Sequence, residues 1–238
     1  MAQVLASQLI GKALKQRGVD TVFYLMGGPN FDIINGFQDE GIRTIDVRHE
    51  QAAAMAAHGY ARVSGKPGIC VGASGPGTLN LLTGVYNAQL DLAPMVVLGG
   101  SSSVGQFQMD AFQEVDQVAT FAPVTKWAFR IYDAKRMPEL INTAYRVASK
   151  GRPGAVYVDL PGDVLYTPVE EGEAVWPKGQ PLTAARPAGE PAILEAAMDL
   201  IAQAQRPVVI AGGGVFWSQG WGELQSFIEA ANIPFFTT

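Results

Sequence analysis

Apolar and polar positions alternate along the chain in two rhythms, one of helical period and one of short unbroken runs. Val4, Leu5, Leu9, Ile10 and Leu14 are spaced by one, three and four, so Gln3–Gln16 is expected to form an amphipathic helix ending near Gly18. Thr21–Leu25 then reads as a short strand, closed by Gly27-Gly28-Pro29-Asn30. Phe31–Asp39 has a helical pattern, and Arg43–Val47 is a second strand leading to Glu50 and an alanine-rich helix. Gly65-Lys66-Pro67 turns the chain into a third strand, Gly68–Ala73, which Gly75-Pro76-Gly77 breaks before a helix over Thr78–Leu90. Pro94–Leu98 is a fourth apolar strand, Leu140–Ala148 a helix and Ala155–Leu160 a further strand stopped by Pro161.

Strands alternating with helices predict an α/β fold, a parallel sheet flanked by helices on both faces. Met95-Val96-Val97-Leu98 has no polar alternation, as expected of a strand buried on both sides. Between Tyr166 and Pro191 the composition turns to proline and glycine with little periodicity, which reads as a linker. The expected organisation is therefore a first domain over 1–165, a linker over 166–190 and an incomplete second α/β domain over 191–238. In that last part Ala192–Gln203 is helical, Pro207–Ala211 a strand, Trp221–Ala231 a helix, and a further strand starts at Pro234. Stopping there leaves one βαβ unit, so the polypeptide reads as the N-terminal part of something longer.

Composition narrows the function classes. Of 238 residues 48% are hydrophobic and only 16% charged, which fits a large core rather than disorder. The net charge of −5, with no basic stripe, argues against a nucleic-acid partner. One cysteine, Cys70, excludes an internal disulfide framework and fits a reducing, cytoplasmic setting. No signal-peptide block opens the chain, and no apolar run reaches the ~18 residues a membrane span needs.

The candidate chemistry centres on Arg48-His49-Glu50-Gln51-Ala52-Ala53, where a carboxylate stands between a strand and the first turn of a helix. A glutamate there can be an ordinary first-turn residue favoured by the helix dipole. Its company suggests more. Gly27-Gly28-Pro29 and Gly75-Pro76-Gly77-Thr78-Leu79-Asn80 end neighbouring strands, and in a parallel sheet these turns share the edge where α/β folds bind ligands. Glycines there allow close backbone approach, so two loops flank one acid in a flat slot. Gly72-Ala73-Ser74-Gly75-Pro76 is a near miss for a hydrolase nucleophile elbow, with proline in place of the last glycine. Gly212-Gly213-Gly214 follows a strand but has Trp217 where a dinucleotide fingerprint needs glycine. Two histidines and one cysteine supply no metal cluster.

Together these segments resemble the N-terminal pyrimidine-binding domain of thiamine-diphosphate enzymes, nearest to the acetolactate synthase, oxalyl-CoA decarboxylase and 2-hydroxyacyl-CoA lyase group. The likeness rests on the segments around Glu50 and Gly75, and on Gly59-Tyr60-Ala61-Arg62, Ala88-Gln89-Leu90-Asp91-Leu92-Ala93-Pro94 and Asp110-Ala111-Phe112-Gln113-Glu114. It rests further on Gly151-Arg152-Pro153-Gly154 with Tyr157-Val158-Asp159-Leu160-Pro161, and it continues weakly into a Rossmann-like central domain. The resemblance implies thiamine diphosphate as cofactor, with Glu50 bonded to N1′ of the aminopyrimidine and Pro76, Asn80, Gly27 and Gly28 lining its slot. It implies that Gln113, with Phe112, Leu25 and Met26, faces the substrate, and that Gln113 and Glu50 are catalytic. It implies Mg²⁺ and the diphosphate held by a C-terminal domain of a neighbouring subunit, hence a homodimer or homotetramer. Leu25-Met26 before the paired glycines, and Phe112-Gln113-Glu114, resemble the 2-hydroxyacyl-CoA lyases more than the acetolactate synthases. The implied reaction is cleavage of a 2-hydroxyacyl-CoA to formyl-CoA and a carbonyl compound, or the reverse. The alternatives are acetolactate-type condensation of 2-oxo acids, or a non-catalytic fragment or split-enzyme subunit.

Overall fold

The computed structural model describes residues 3–178 and 188–238. The chain divides at Thr183/Ala184 into two compact units. In the first, a six-stranded sheet forms from β2 (Thr21–Tyr24), β3 (Arg43–Asp46), β4 (Gly68–Gly72), β5 (Met95–Ser101), β6 (Trp127–Arg130) and β7 (Ala155–Pro161). The order is β3-β2-β4-β5-β7-β6 and every pairing is parallel. β4, β5 and β7 are buried along their whole length, as central strands covered on both faces must be.

Alternation along these strands divides the core into two layers. Val22, Ile69, Val71, Val96, Leu98, Val156 and Val158 pack with α1 (Ala6–Gln16), α2 (Phe31–Asp39) and α7 (Met137–Ser149). Intervening positions such as Cys70, Val97 and Tyr157, also fully buried, belong to the opposite face, beside α3 (Glu50–Ser64) and α5 (Leu82–Leu90). The thin face of α3, Ala53, Ala54, Ala57 and Ala61, is fully buried and lets its neighbours approach closely. A Cβ at Gly68 of β4 would lie 2.1 Å from the Ala57 carbonyl oxygen, and one at Gly84 of α5 2.6 Å from the Ala54 Cβ. Gly65, left-handed at φ 70°, ends α3 by donating to the Ala61 carbonyl.

Several boundaries differ from the sequence expectation. Gln3–Leu5 is not the start of the helix but a strand, β1, paired antiparallel with β8 (Pro168–Glu170). β8 falls inside the expected 166–190 linker, as does Val175, whose N–H donates to the Lys135 carbonyl, and Trp176, which packs on the first core. A partner strand at the other end of the chain gives this proline-rich stretch its structure, which local composition cannot register; 179–187 lie outside the described residues. The helix expected over Thr78–Leu90 is two, α4 (Pro76–Asn80) and α5, interrupted at Leu81. Strand β6, the short helix α6 (Gln117–Phe121) and the single turn α8 (Gly162–Leu165) carry no clear periodicity and were not expected.

The second unit holds α9 (Pro191–Gln203), β9 (Val209–Ala211), α10 (Gly213–Trp217), α11 (Trp221–Ala231) and β10 (Phe235–Thr237), with β9 and β10 parallel. The triple glycine leads from β9 into α10. Among the described residues no helix is long and apolar enough to cross a membrane.

Candidate active site

The connection from β2 runs outward to β3 and that from β4 runs the other way to β5, so the topological switch lies between β2 and β4. Ligands of open α/β sheets bind outside the carboxyl ends of strands at this point. The loops meeting there are those beginning at Leu25, after β2, and at Ala73, after β4. They approach closely, since a Cβ at Gly27 would come within 2.4 Å of the Ala73 Cβ. Asn30, fully buried, ties them by donating from Nδ2 to the Gly72 carbonyl over 2.8 Å.

Glu50 opens α3 at this edge and is 7% exposed. The preceding His49 caps the helix, its Nδ1 accepting from the Gln51 N–H over 3.2 Å. Asn80, the last residue of α4, donates from Nδ2 to Glu50 Oε2 at 2.9 Å. The other oxygen turns toward Gly77, where an added Cβ would lie 3.1 Å from Glu50 Oε1. One carboxylate oxygen is thus fixed by Asn80, and the other lies close to a position where a side chain would crowd it.

The remaining expected residues fall into three groups. Gly27, Glu50, Asn80 and the Gly75-Pro76-Gly77 loop are brought together, with Pro76 exposed at the first position of α4. Gln113 joins them through its backbone, because its carbonyl would lie 2.3 Å from a Cβ at Gly75, itself left-handed at φ 57°. Gln113 also has positive φ, 59°, and its side chain is exposed. Gly28 meets open space, Phe112 is 86% exposed, and Met26 is partly buried against the core next to half-buried Leu25.

A polar cluster that sequence reasoning did not single out lies behind the β4 loop. Gln117, 1% exposed at the start of α6, accepts from the Gly75 N–H over 2.6 Å through Oε1. Its Nε2 faces Asp159 Oδ1 at 2.7 Å, the Tyr157 hydroxyl at 2.7 Å and the Gly100 carbonyl at 3.0 Å. Asp159 is fully buried and accepts also from the Tyr157 hydroxyl, from the Ser101 hydroxyl at 2.9 Å and from Arg130 Nε. Burial, then the Asp159 carboxylate, holds the Tyr157 phenol well above its usual range. One signal was available: Asp159 is the only charge in the otherwise apolar run Ala155–Pro161, and such a charge needs partners. Among the described residues no cluster of three or more His, Cys, Asp or Glu could hold a metal ion.

A parallel sheet with a buried helix-start glutamate at its switch point defines a ligand-binding α/β domain. Residues 5–120 match the thiamine pyrophosphate enzyme N-terminal TPP binding domain, and 194–238 match the thiamine pyrophosphate enzyme central domain. The chain belongs to the thiamine pyrophosphate enzyme family. It is 41% identical over 229 residues to a probable acetolactate synthase large subunit of Methanococcus aeolicus, covering 95% of this chain and 38% of that protein. It is 39% identical over 232 residues to the oxalyl-CoA decarboxylase of Escherichia coli, covering 95% and 41%. The acetolactate synthase isozyme 2 large subunit of Escherichia coli is 37% identical over 237 residues, covering 96% and 41%. The chain spans about two fifths of the length of these relatives.

Proposed function

We propose that this chain provides the pyrimidine side of a thiamine-diphosphate site, with Glu50 as the residue that exchanges a proton with the ring. The observation carrying this reading is a buried carboxylate at the switch point with Oε2 held by Asn80 and Oε1 turned to the side of Gly77, where only a residue without a Cβ fits closely. The residues present fit the cofactor. When bound, thiamine diphosphate supplies a carbon nucleophile for making and breaking bonds next to a carbonyl. Asn80 holds Oε2, so Oε1 would be the Glu50 atom available to share a proton with a ring nitrogen of the cofactor. Gly27 and Gly77 let backbone lie against the faces of a flat ligand, and the exposed Pro76 walls the slot. Gln113 and Phe112, on the segment after β5, would meet a substrate together with Leu25 and Met26; the positive-φ Gln113 backbone against Gly75 supports the first of these. Mg²⁺ and the diphosphate would be held by a C-terminal domain of a neighbouring subunit in a homodimer or homotetramer.

Within the family we infer a carbon–carbon lyase acting on 2-hydroxyacyl-CoA, releasing formyl-CoA and an aldehyde or ketone. The apolar Leu25-Met26 pair and Phe112-Gln113 support it. Similarity to acetolactate synthases supports a second reading, condensation of 2-oxo acids, and similarity to an oxalyl-CoA decarboxylase supports an acyl-CoA substrate. The deciding assay supplies 2-hydroxyacyl-CoA or pyruvate to the chain assembled with a diphosphate-binding domain, thiamine diphosphate and Mg²⁺. Formyl-CoA release is expected. Acetolactate formation without acyl-CoA cleavage would overturn the lyase reading, and no thiamine diphosphate binding in the assembled enzyme would overturn the cofactor site itself. Residues 1–238 by themselves are expected to bind the cofactor weakly, because the diphosphate and Mg²⁺ would be held by a C-terminal domain.

A further inference from the structure

The loop that faces Glu50 is held by the buried polar cluster behind it. Gly75 has a left-handed backbone, and its N–H is satisfied by Gln117 Oε1 at 2.6 Å. An amide can offer either its oxygen or its NH₂ in a given direction, so something must fix which end faces Gly75. Asp159 does so. Its carboxylate, paired with Arg130, accepts, as does the Gly100 carbonyl, and both stand on the same side of Gln117, at 2.7 and 3.0 Å from Nε2. Turning the amide over would set its oxygen against that carboxylate and a donor NH₂ against the Gly75 N–H. Asp159 is itself held by Arg130 Nε, Ser101 and Tyr157.

We propose that Gln117 is a positioning residue: Asp159 sets the direction of its amide, and the amide in turn holds Gly75-Pro76-Gly77 against Glu50 and the Gln113 backbone. The chain of contacts is short. Gly75 abuts the Gln113 carbonyl on one side, and two residues on Gly77 stands beside Glu50 Oε1. A change in the amide therefore reaches both the proposed proton-exchanging carboxylate and the proposed substrate-facing glutamine, without Gln117 touching a ligand. Its bearing on catalysis rests on the reading of Glu50 as part of a cofactor slot; the geometric claim does not.

Two variants test it in the full chain, read by hydrogen exchange at the Gly75 amide with the β4 amides of Cys70 and Val71 as internal reference. Gln117→Leu keeps bulk and removes both hydrogen-bonding ends, so protection of Gly75 relative to β4 should fall by roughly tenfold. Gln117→Glu is the conservative rescue. When protonated, the acid donates to Asp159 and accepts from Gly75 as the amide did; when ionised, it opposes a second carboxylate. The groups facing position 117 are Asp159 and Tyr157 from β7, with Arg130 of β6 behind Asp159, while β5 and the β4 loop offer backbone. The two carboxyls should share a proton, so Gln117→Glu should be protected like wild type near pH ~5 and loosened near pH ~8. Wild-type protection of Gly75 in Gln117→Leu, or a Gln117→Glu variant indifferent to pH, overturns the proposal. If Gln117→Leu unfolds, the pH comparison within Gln117→Glu decides alone. Exchange needs no cofactor, so the readings separate: with Gly75 protection lost and thiamine diphosphate affinity of the assembled enzyme unchanged, the loop-positioning role stands and its bearing on cofactor binding falls, whereas a wild-type assembled enzyme that binds no thiamine diphosphate sinks the cofactor slot and leaves the exchange result untouched.

Discussion

Gly68→Ala probes how the packing of α3 places Glu50. The new methyl would lie 2.1 Å from the Ala57 carbonyl oxygen, 2.6 Å from its carbon and 3.0 Å from the Ala57 Cα. All three are backbone atoms, so no side chain can rotate away. Bringing the nearest contact out to 3.0 Å requires helix and strand to part by roughly 1 Å. Overpacking of this kind costs about 1–3 kcal/mol. For a chain of this size that lowers the melting temperature by about 2–12 °C. Because Glu50 begins the same helix, the displacement reaches the site, and a misplacement of about 1 Å there costs on the order of 100-fold in turnover. Gly59→Ala is the matched control: the same helix, an exposed position and nothing within 4 Å of the new Cβ. It should stabilise by up to about 1 kcal/mol through helix propensity. Thermal unfolding by circular dichroism reads both variants. Gly68→Ala melting at or above wild type, or Gly59→Ala falling as far as Gly68→Ala, would refute the reasoning.

Glu50→Gln keeps shape and removes the acid; in the assembled enzyme it should abolish most turnover while leaving the melting curve in place, and near wild-type activity would disprove the proton-exchange role. Asp20 accepts from Lys66 Nζ and the Tyr60 hydroxyl, and these bonds, Lys66 first, hold its carboxyl down at about 2. The stability this contributes is present above the ordinary carboxylate pKa and is lost as pH falls from about 4 toward 2. Tyr60, pushed up to about 12 by burial and then by Asp20, contributes stability lost as pH rises from 10 toward 12. Asp20 is half exposed, so each limb should be worth under about 1 kcal/mol. Asp20→Asn should flatten the acid limb of a urea-midpoint-against-pH curve and only reduce the alkaline one, whose first cause is burial, and an unchanged acid limb would count against the cluster. Cys70 is fully buried, and burial pushes its thiol up, so it should resist alkylation in the native chain and react only on unfolding. Rapid labelling by iodoacetamide without denaturant would contradict that burial.

The central strands could be read from the chain because burial on both faces leaves a composition mark: Gly68–Gly72 and Met95–Leu98 are apolar without alternation. Helix α2 matched its expected span, Phe31–Asp39, for a similar reason, since its apolar residues repeat at helical spacing. Glu50 was legible as a candidate through its place between a strand and an alanine-rich helix, in a segment resembling a known family. Long-range pairing was not legible. β1 exists because Gln3–Leu5 meets Pro168–Glu170 from the far end of the first unit, and no local pattern encodes a partner 163 residues away or more. The break between α4 and α5 is likewise invisible in periodicity.

The same division runs through the site. The sequence alone determined which residues could do chemistry there, the turn glycines and a helix-start carboxylate, because backbone access and charge are properties of residue type. Only tertiary structure decided that Asn80 bonds Glu50, that Gly77 lies beside Oε1, and that Gln117 bonds both Asp159 and the Gly75 N–H. Gln117 and Asp159 are 42 residues apart in the chain. Their contact depends on a parallel sheet that sets β5 beside β7, and hydrogen bonds of that kind follow from strand order and register rather than from spacing along the chain.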